Sequence, residues 1–130
     1  MNLSITINRT PPSSNHYRGM NRGKFFLRRE AQLFFDLMKL EVRGQFVNAE
    51  EFEVLACVFL GKDQRGDVDN FGKVLLDGLA KCGVFCDKEG IPVSDAYVRR
   101  IVLEKDRSWA SPRTEIIVKP YVNRPNGGTL

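Results

Sequence analysis

Gly66-Asp67-Val68-Asp69-Asn70-Phe71-Gly72-Lys73, running on through Val74-Leu75-Leu76-Asp77-Gly78-Leu79, reads as a loop that delivers two carboxylates and then becomes a helix. Before it, the apolar run Phe52–Leu60, closed by Gly61, has the length and composition of a buried strand. The helix is predicted to start at about Asp69 or Asn70 and to end at Lys81, burying Phe71, Leu75, Leu79 and Cys82, with Gly83 past its end. In extended geometry Asp67 and Asp69 point the same way, roughly 6–7 Å apart by strand rise. Two like charges that close raise each other's pKa unless something positive lies between them. A hard divalent cation meets that need, because Mg²⁺ takes oxygen ligands and is often held by one or two carboxylates. Lys73, one turn after Asp69, is placed to meet a phosphate beside such a metal. The same residues also fit a structural role. Either aspartate suits a helix N-cap, and Asp69, Lys73, Asp77 and Lys81 alternate in sign every four residues, as on a solvated, salt-bridged face.

Working outward, residues 3–8 alternate strictly and read as a strand with Leu3, Ile5 and Ile7 inward. Pro11 and Pro12 end it, and residues 13–23 read as a loop mixing amide, aromatic and guanidinium groups. Its single histidine, His16, reads as a surface residue. Residues 27–43 have helical periodicity, with Leu27, Ala31, Phe34, Phe35, Met38 and Val42 on one face and Gly44 as the stop. A short apolar segment near Val84, where an extra short strand can form, a strand over 97–105, a turn over 106–112 and a return strand over 114–119 complete the chain. The predicted order is β-α-β-α-β-β, an α/β fold of α+β type. It is a single domain over residues 1–122, a mixed sheet with two helices packed on one face. Residues 123–130 read as a polar, Gly/Pro-rich tail outside the fold.

Composition narrows the function classes. At 130 residues, 42% hydrophobic and 28% charged, the chain is an ordinary globular domain with enough length for its own core. It has no apolar run of about eighteen residues and no leader-like N-terminus. Three cysteines cannot all pair, and Cys82-x₃-Cys86 is not a zinc spacing, so Cys57, Cys82 and Cys86 read as small core residues in a reducing cytoplasm. The net charge of +4 is unevenly spread. Arg9, Arg18, Arg22, Lys24, Arg28 and Arg29 lie in the first 29 residues with no acid among them, leaving 14 bases against 16 acids in the rest. A basic N-terminal segment beside an acidic centre points to a polyanion held by one region and processed by another.

Pro11-Pro12-Ser13-Ser14-Asn15, the Asp67-to-Leu79 motif, and Gly83-Val84 ahead of a third acidic position together resemble the RusA family of phage and prophage Holliday junction resolvases, over residues 5–118. That resemblance implies a small homodimer that binds four-way DNA junctions and nicks two strands symmetrically in recombination and repair. It implies Mg²⁺ as cofactor, with Mn²⁺ as an alternative ion, no small-molecule cofactor and no membrane partner, in the cytoplasm of a bacterial cell or phage-infected host. Asp67 and Asp69 match the first two catalytic, metal-holding acids, and Lys73 the functional lysine. For the third acid, Asp95 is preferred, with Lys105 then at a strand-end position, although residues 88–93 become an insertion. Asp87 is the second choice, since Lys88 stands where its acidic neighbour is expected. Both Asp-Lys and Ser-Asp are also ordinary turn formers. Asn15, Arg18, Arg22, Lys24, Arg28 and Arg29 would grip the DNA backbone, giving affinity rather than sequence choice. Two alternatives stay open: a non-catalytic nucleic-acid-binding module whose aspartates cap a helix, and a metal-dependent nuclease for other branched DNA.

Overall fold

The computed structural model describes residues 2–12, 18–21, 24–27, 29–62, 64, 68–108 and 110–122, with the backbone alone for 18–21, 24–27 and 68–70. Its elements in order are β1 (Leu3–Ile7), β2 (Arg18–Asn21), β3 (Lys24–Leu27), α1 (Arg29–Val42), β4 (Val47–Asn48), β5 (Phe52–Leu60), α2 (Val68–Lys81), β6 (Phe85–Cys86), a 3-10 turn (Asp95–Tyr97), β7 (Val98–Arg107) and β8 (Arg113–Pro120). The main sheet has the order β1-β8-β5-β7. Strand β5 pairs parallel with β7 and antiparallel with β8, and β1 pairs antiparallel with β8, so the sheet is mixed. The predicted β-α-β-α-β-β order is present as β1, α1, β5, α2, β7 and β8.

Strand β5 is central, which explains its nearly unbroken apolar sequence. Phe52, Val54, Ala56, Val58 and Leu60 are buried toward the helices; between them Glu53 is also buried and Leu55, Cys57 and Phe59 are partly covered. Helix α1 buries Ala31, Phe34, Phe35, Met38 and Val42, a repeat of three and four that lays one stripe on the sheet. It stops at Arg43 and Gly44, both in the left-handed region (φ 54° and 72°). Helix α2 buries Phe71, Val74, Leu75 and Leu79. Its end is closed by a Schellman pair, Gly83 N–H to Ala80 O (3.0 Å) and Val84 N–H to Leu79 O (3.1 Å). The core therefore lies between one sheet face and two helices.

The helices approach each other at Gly78. A Cβ there would lie 2.9 Å from Met38 Sδ, 3.0 Å from Met38 Cε and 3.0 Å from Phe35 Cδ1. Gly78→Val should therefore lower the free energy of unfolding by about 1–3 kcal/mol, the usual cost of overpacking a filled core. Urea denaturation measures it, and unchanged stability would contradict so close an approach.

Two local predictions differ from what is seen. Residues 18–21 and 24–27 form the antiparallel pair β2–β3, where a loop to residue 23 and a helix from residue 27 were expected, so Leu27 ends a strand and α1 begins at Arg29. Only two residues separate these strands, and β3 carries Phe25, Phe26 and Leu27, a run that pairs as readily as it coils. Helix α2 starts at Val68, slightly before the predicted position, because Phe71 is pinned in the first turn against Val58, Leu60 and Leu103. The extra short strand expected near Val84 is present as β6, paired in parallel with β4.

Candidate functional site

The loop leaving β5 is held from two sides before it reaches the acidic motif. Gln64 Oε1 accepts from Gly61 N–H (2.6 Å), while Gln64 Nε2 donates to Thr10 Oγ1 (3.1 Å). On the other side, Arg107 Nη1 at the end of β7 donates to Gly61 O (2.8 Å) and Lys62 O (3.2 Å). Ser108 N–H adds a bond to Leu60 O (2.9 Å). The segment before Pro11 is tied in turn, with Thr114 Oγ1 donating to Arg9 O (2.8 Å). These bonds join the proline stretch, the strand ends and the approach to the acidic loop. Neither Gln64 nor Arg107 was singled out by sequence, and no local pattern could have done so, since their partners lie 54 and 46 residues away.

Asp67 lies outside the described residues, and Asp69 is described by its backbone. Asp69 is the second residue of α2, so the extended geometry expected for the aspartate pair does not apply at Asp69. One turn on, Lys73 is exposed, and its Cα falls on the same side of the helix as those of Asp69 and Asp77. Lys73 and Asp77 line an open groove together with the apolar residues Leu76, Ile101 and Leu103 and with Asp95.

Asp95 reaches that groove because it opens the 3-10 turn that feeds β7. Ser94 caps the turn, its Oγ accepting from Ala96 N–H (3.2 Å), and Val98 N–H closes on Asp95 O. The turn packs on α2, leaving Asp95 partly buried against the helix. Asp87 has a different job. Its Oδ1 accepts from Glu89 N–H and Ile91 N–H, both 2.9 Å, and so closes the turn after β6. Beside it, Lys88 pairs with Glu50 at 2.9 Å in full solvent, which holds the Glu50 carboxyl below its usual range. The fold thus brings Asp95, not Asp87, alongside Lys73.

The remaining candidates are scattered over the N-terminal part. Arg18 lies in β2 and Lys24 in β3, while Arg29 is the exposed first residue of α1. Asn15, His16, Arg22, Arg28 and residues 123–130 lie outside the described residues. The three thiols are free, and burial is the first cause pushing each of them above the ordinary cysteine range. A thiol so raised is a poor nucleophile at neutral pH. Among the described residues no three His, Cys, Asp or Glu side chains cluster as a metal site, and no helix is long and apolar enough to cross a membrane.

No family model matches the chain. A curated relative is the crossover junction endodeoxyribonuclease rusA of Enterobacteria phage 82. It is 29% identical over 80 residues, which make up 59% of this chain and 67% of the phage protein.

Proposed function

We propose that this protein is a Mg²⁺-dependent endonuclease that resolves four-way DNA junctions in recombination and repair, by paired nicks from a symmetric homodimer. The observation that carries the reading is that Asp95 lines the same groove as Lys73, in a chain similar to a crossover junction endodeoxyribonuclease. Asp67, Asp69 and Asp95 are the residues that would hold the metal. The donor chemistry fits: Asp95 offers a hard oxygen, and no hydrogen bond or ion pair engages its carboxylate among the described residues. When bound, Mg²⁺ supplies Lewis acidity toward a phosphoryl oxygen and helps generate the attacking water.

The chain's own groups do the rest. Lys73 places an ammonium beside the acids, where it neutralises the scissile phosphate as negative charge builds on its oxygens. The apolar floor of Leu76, Ile101 and Leu103 limits water beneath that phosphate and strengthens each charge contact above it. Arg107 and Gln64 hold the chain three to six residues ahead of Asp67, which restricts where the acidic loop can start. Arg18, Lys24 and Arg29, together with Asn15, Arg22 and Arg28, contact the DNA backbone without reading sequence. A four-way junction presents two equivalent strands, so two active sites related by a two-fold axis match its symmetry. The compartment for such work is the cytoplasm of the bacterial or phage-infected cell.

The test is a mobile four-way junction, each strand end-labelled in turn, incubated with Mg²⁺ or with EDTA. Paired nicks at symmetric positions, in Mg²⁺ alone, are expected. Equal cutting of three-way junctions would shift the reading to a general branched-DNA nuclease. Binding without cleavage in either Mg²⁺ or Mn²⁺ would leave only the non-catalytic module.

A further inference from the structure

A second open depression, of about 610 Å³, is lined by residues that follow β1, begin α1, precede β8 and lead from β5 toward the acidic motif. Three of them are proline rings, Pro11, Pro12 and Pro112, and they share the lining with Arg9, Glu30 and Gln64. Its walls are held in place. Pro112 packs so close to Gly61 that a Cβ there would lie 3.1 Å from Pro112 Cγ. Both amide atoms of Gln64 are engaged, one by Gly61 N–H and one by Thr10 Oγ1. The Arg9 backbone is tied twice, its N–H donating to Ile7 O (2.7 Å) and its carbonyl accepting from Thr114 Oγ1 (2.8 Å). The Arg9 guanidinium and the Glu30 carboxylate, by contrast, have no hydrogen bond or ion pair among the described residues, including with each other. Two opposite charges that line one depression without pairing leave a donor fork and an acceptor fork open to a third group.

That pair of charges decides what the third group is. A phosphate suits Arg9 and is repelled by Glu30, while a metal ion or an amine suits Glu30 and is repelled by Arg9. A neutral ring with both kinds of edge satisfies both. Proline rings are apolar wedges of the kind that enter between base steps and unstack them. We infer that this depression seats an unstacked guanine of the DNA substrate. Guanine presents O6 and N7 as adjacent acceptors for the Arg9 guanidinium, and N1–H with the N2 amino group as adjacent donors for the Glu30 carboxylate. Adenine sets a donor beside its N7, and cytosine and thymine offer the carboxylate one donor group only. A base at a branch point is already short of stacking or pairing, so drawing it out costs least there. The inference deepens the proposed function and takes its substrate from it. Gln64 stands three residues ahead of Asp67, so a guanine held beside it fixes which phosphate the acids reach.

The test uses the full chain and four-way junctions in which dG is moved through the positions flanking the branch point. Nicks are expected at one fixed spacing from a dG. Replacing that base by 7-deazaguanine, which lacks the N7 acceptor, or by hypoxanthine, which lacks the N2 amino group, should slow nicking about tenfold or more, the scale of losing one bidentate base contact. Arg9→Ala should become indifferent to 7-deazaguanine yet stay sensitive to hypoxanthine, and Glu30→Ala should show the reverse. Both positions are exposed, so circular dichroism and melting should match the wild type. Equal nicking beside every base overturns the inference. So does an Arg9→Ala that loses affinity for all junctions alike, the mark of a phosphate contact. Binding of the same junctions in EDTA keeps the two readings apart. Guanine-dependent affinity without nicks in Mg²⁺ fails the nuclease and keeps the guanine site, whereas nicks indifferent to base do the opposite.

Discussion

Asp69→Asn is expected to abolish junction cleavage, by at least about 10²–10³-fold, while four-way junction binding persists or tightens. The scale is that of losing one preorganised electrostatic group from a site where charge develops. Asparagine keeps the shape and a carbonyl oxygen but loses the charge that a hard cation selects. Removing that charge also relieves repulsion against the DNA phosphates, so gel-shift affinity should not fall. Stability should change little, because an acid in the first turn of a helix contributes about 0.3–1 kcal/mol through the dipole. The competing account, in which the aspartates only serve the helix start, makes the opposite pairing: lower melting with catalysis, if any, untouched. Single-turnover cleavage and thermal melting on one preparation separate the two. Retained cleavage in Asp69→Asn would remove the metal assignment.

The second large effect is a contrast between two aspartates eight residues apart. Asp95→Asn should slow cleavage by about 10²-fold or more, since the groove beside Lys73 would lose the charge that opposes the ammonium. Asp87→Asn should be close to silent, because the amide oxygen can still accept from Glu89 N–H and Ile91 N–H. Asp87→Ala removes that acceptor and should cost about 1 kcal/mol of stability, with cleavage intact. Measuring kcat and the Mg²⁺ dependence of all three variants decides the third acid. An inactive Asp87→Asn beside an active Asp95→Asn would reverse the assignment.

Much of the architecture is legible in local pattern. The apolar run Phe52–Leu60 coincides with β5, whose Phe52, Val54, Ala56, Val58 and Leu60 are buried under the helices and whose Leu55, Cys57 and Phe59 are partly covered on the other face. Helix α2 keeps its predicted buried residues Phe71, Leu75 and Leu79, and Gly83 ends it as a left-handed residue must. The strict alternation of β1 likewise survives as a strand with one buried face. In each case the residues that make the pattern are neighbours on one element, so a chain reader sees the same contacts the fold does.

What sequence left open was decided where distant segments meet. Asp87 and Asp95 both fit turn formers, and only the packing of the 3-10 turn on α2 puts one in the groove that Lys73 lines and leaves the other closing its own loop. The hairpin β2–β3 went unread because a short strand gains its stability from the partner it pairs with. Arg107 and Gln64 act on backbone and side chains some fifty residues away, contacts that exist only once β1, β5 and β7 are in place. By itself, then, the sequence determined which elements form and which stretch is acidic. Tertiary structure decided which of the two candidate acids lines the groove with Lys73, because that depends on distances between residues that the chain holds far apart until it folds.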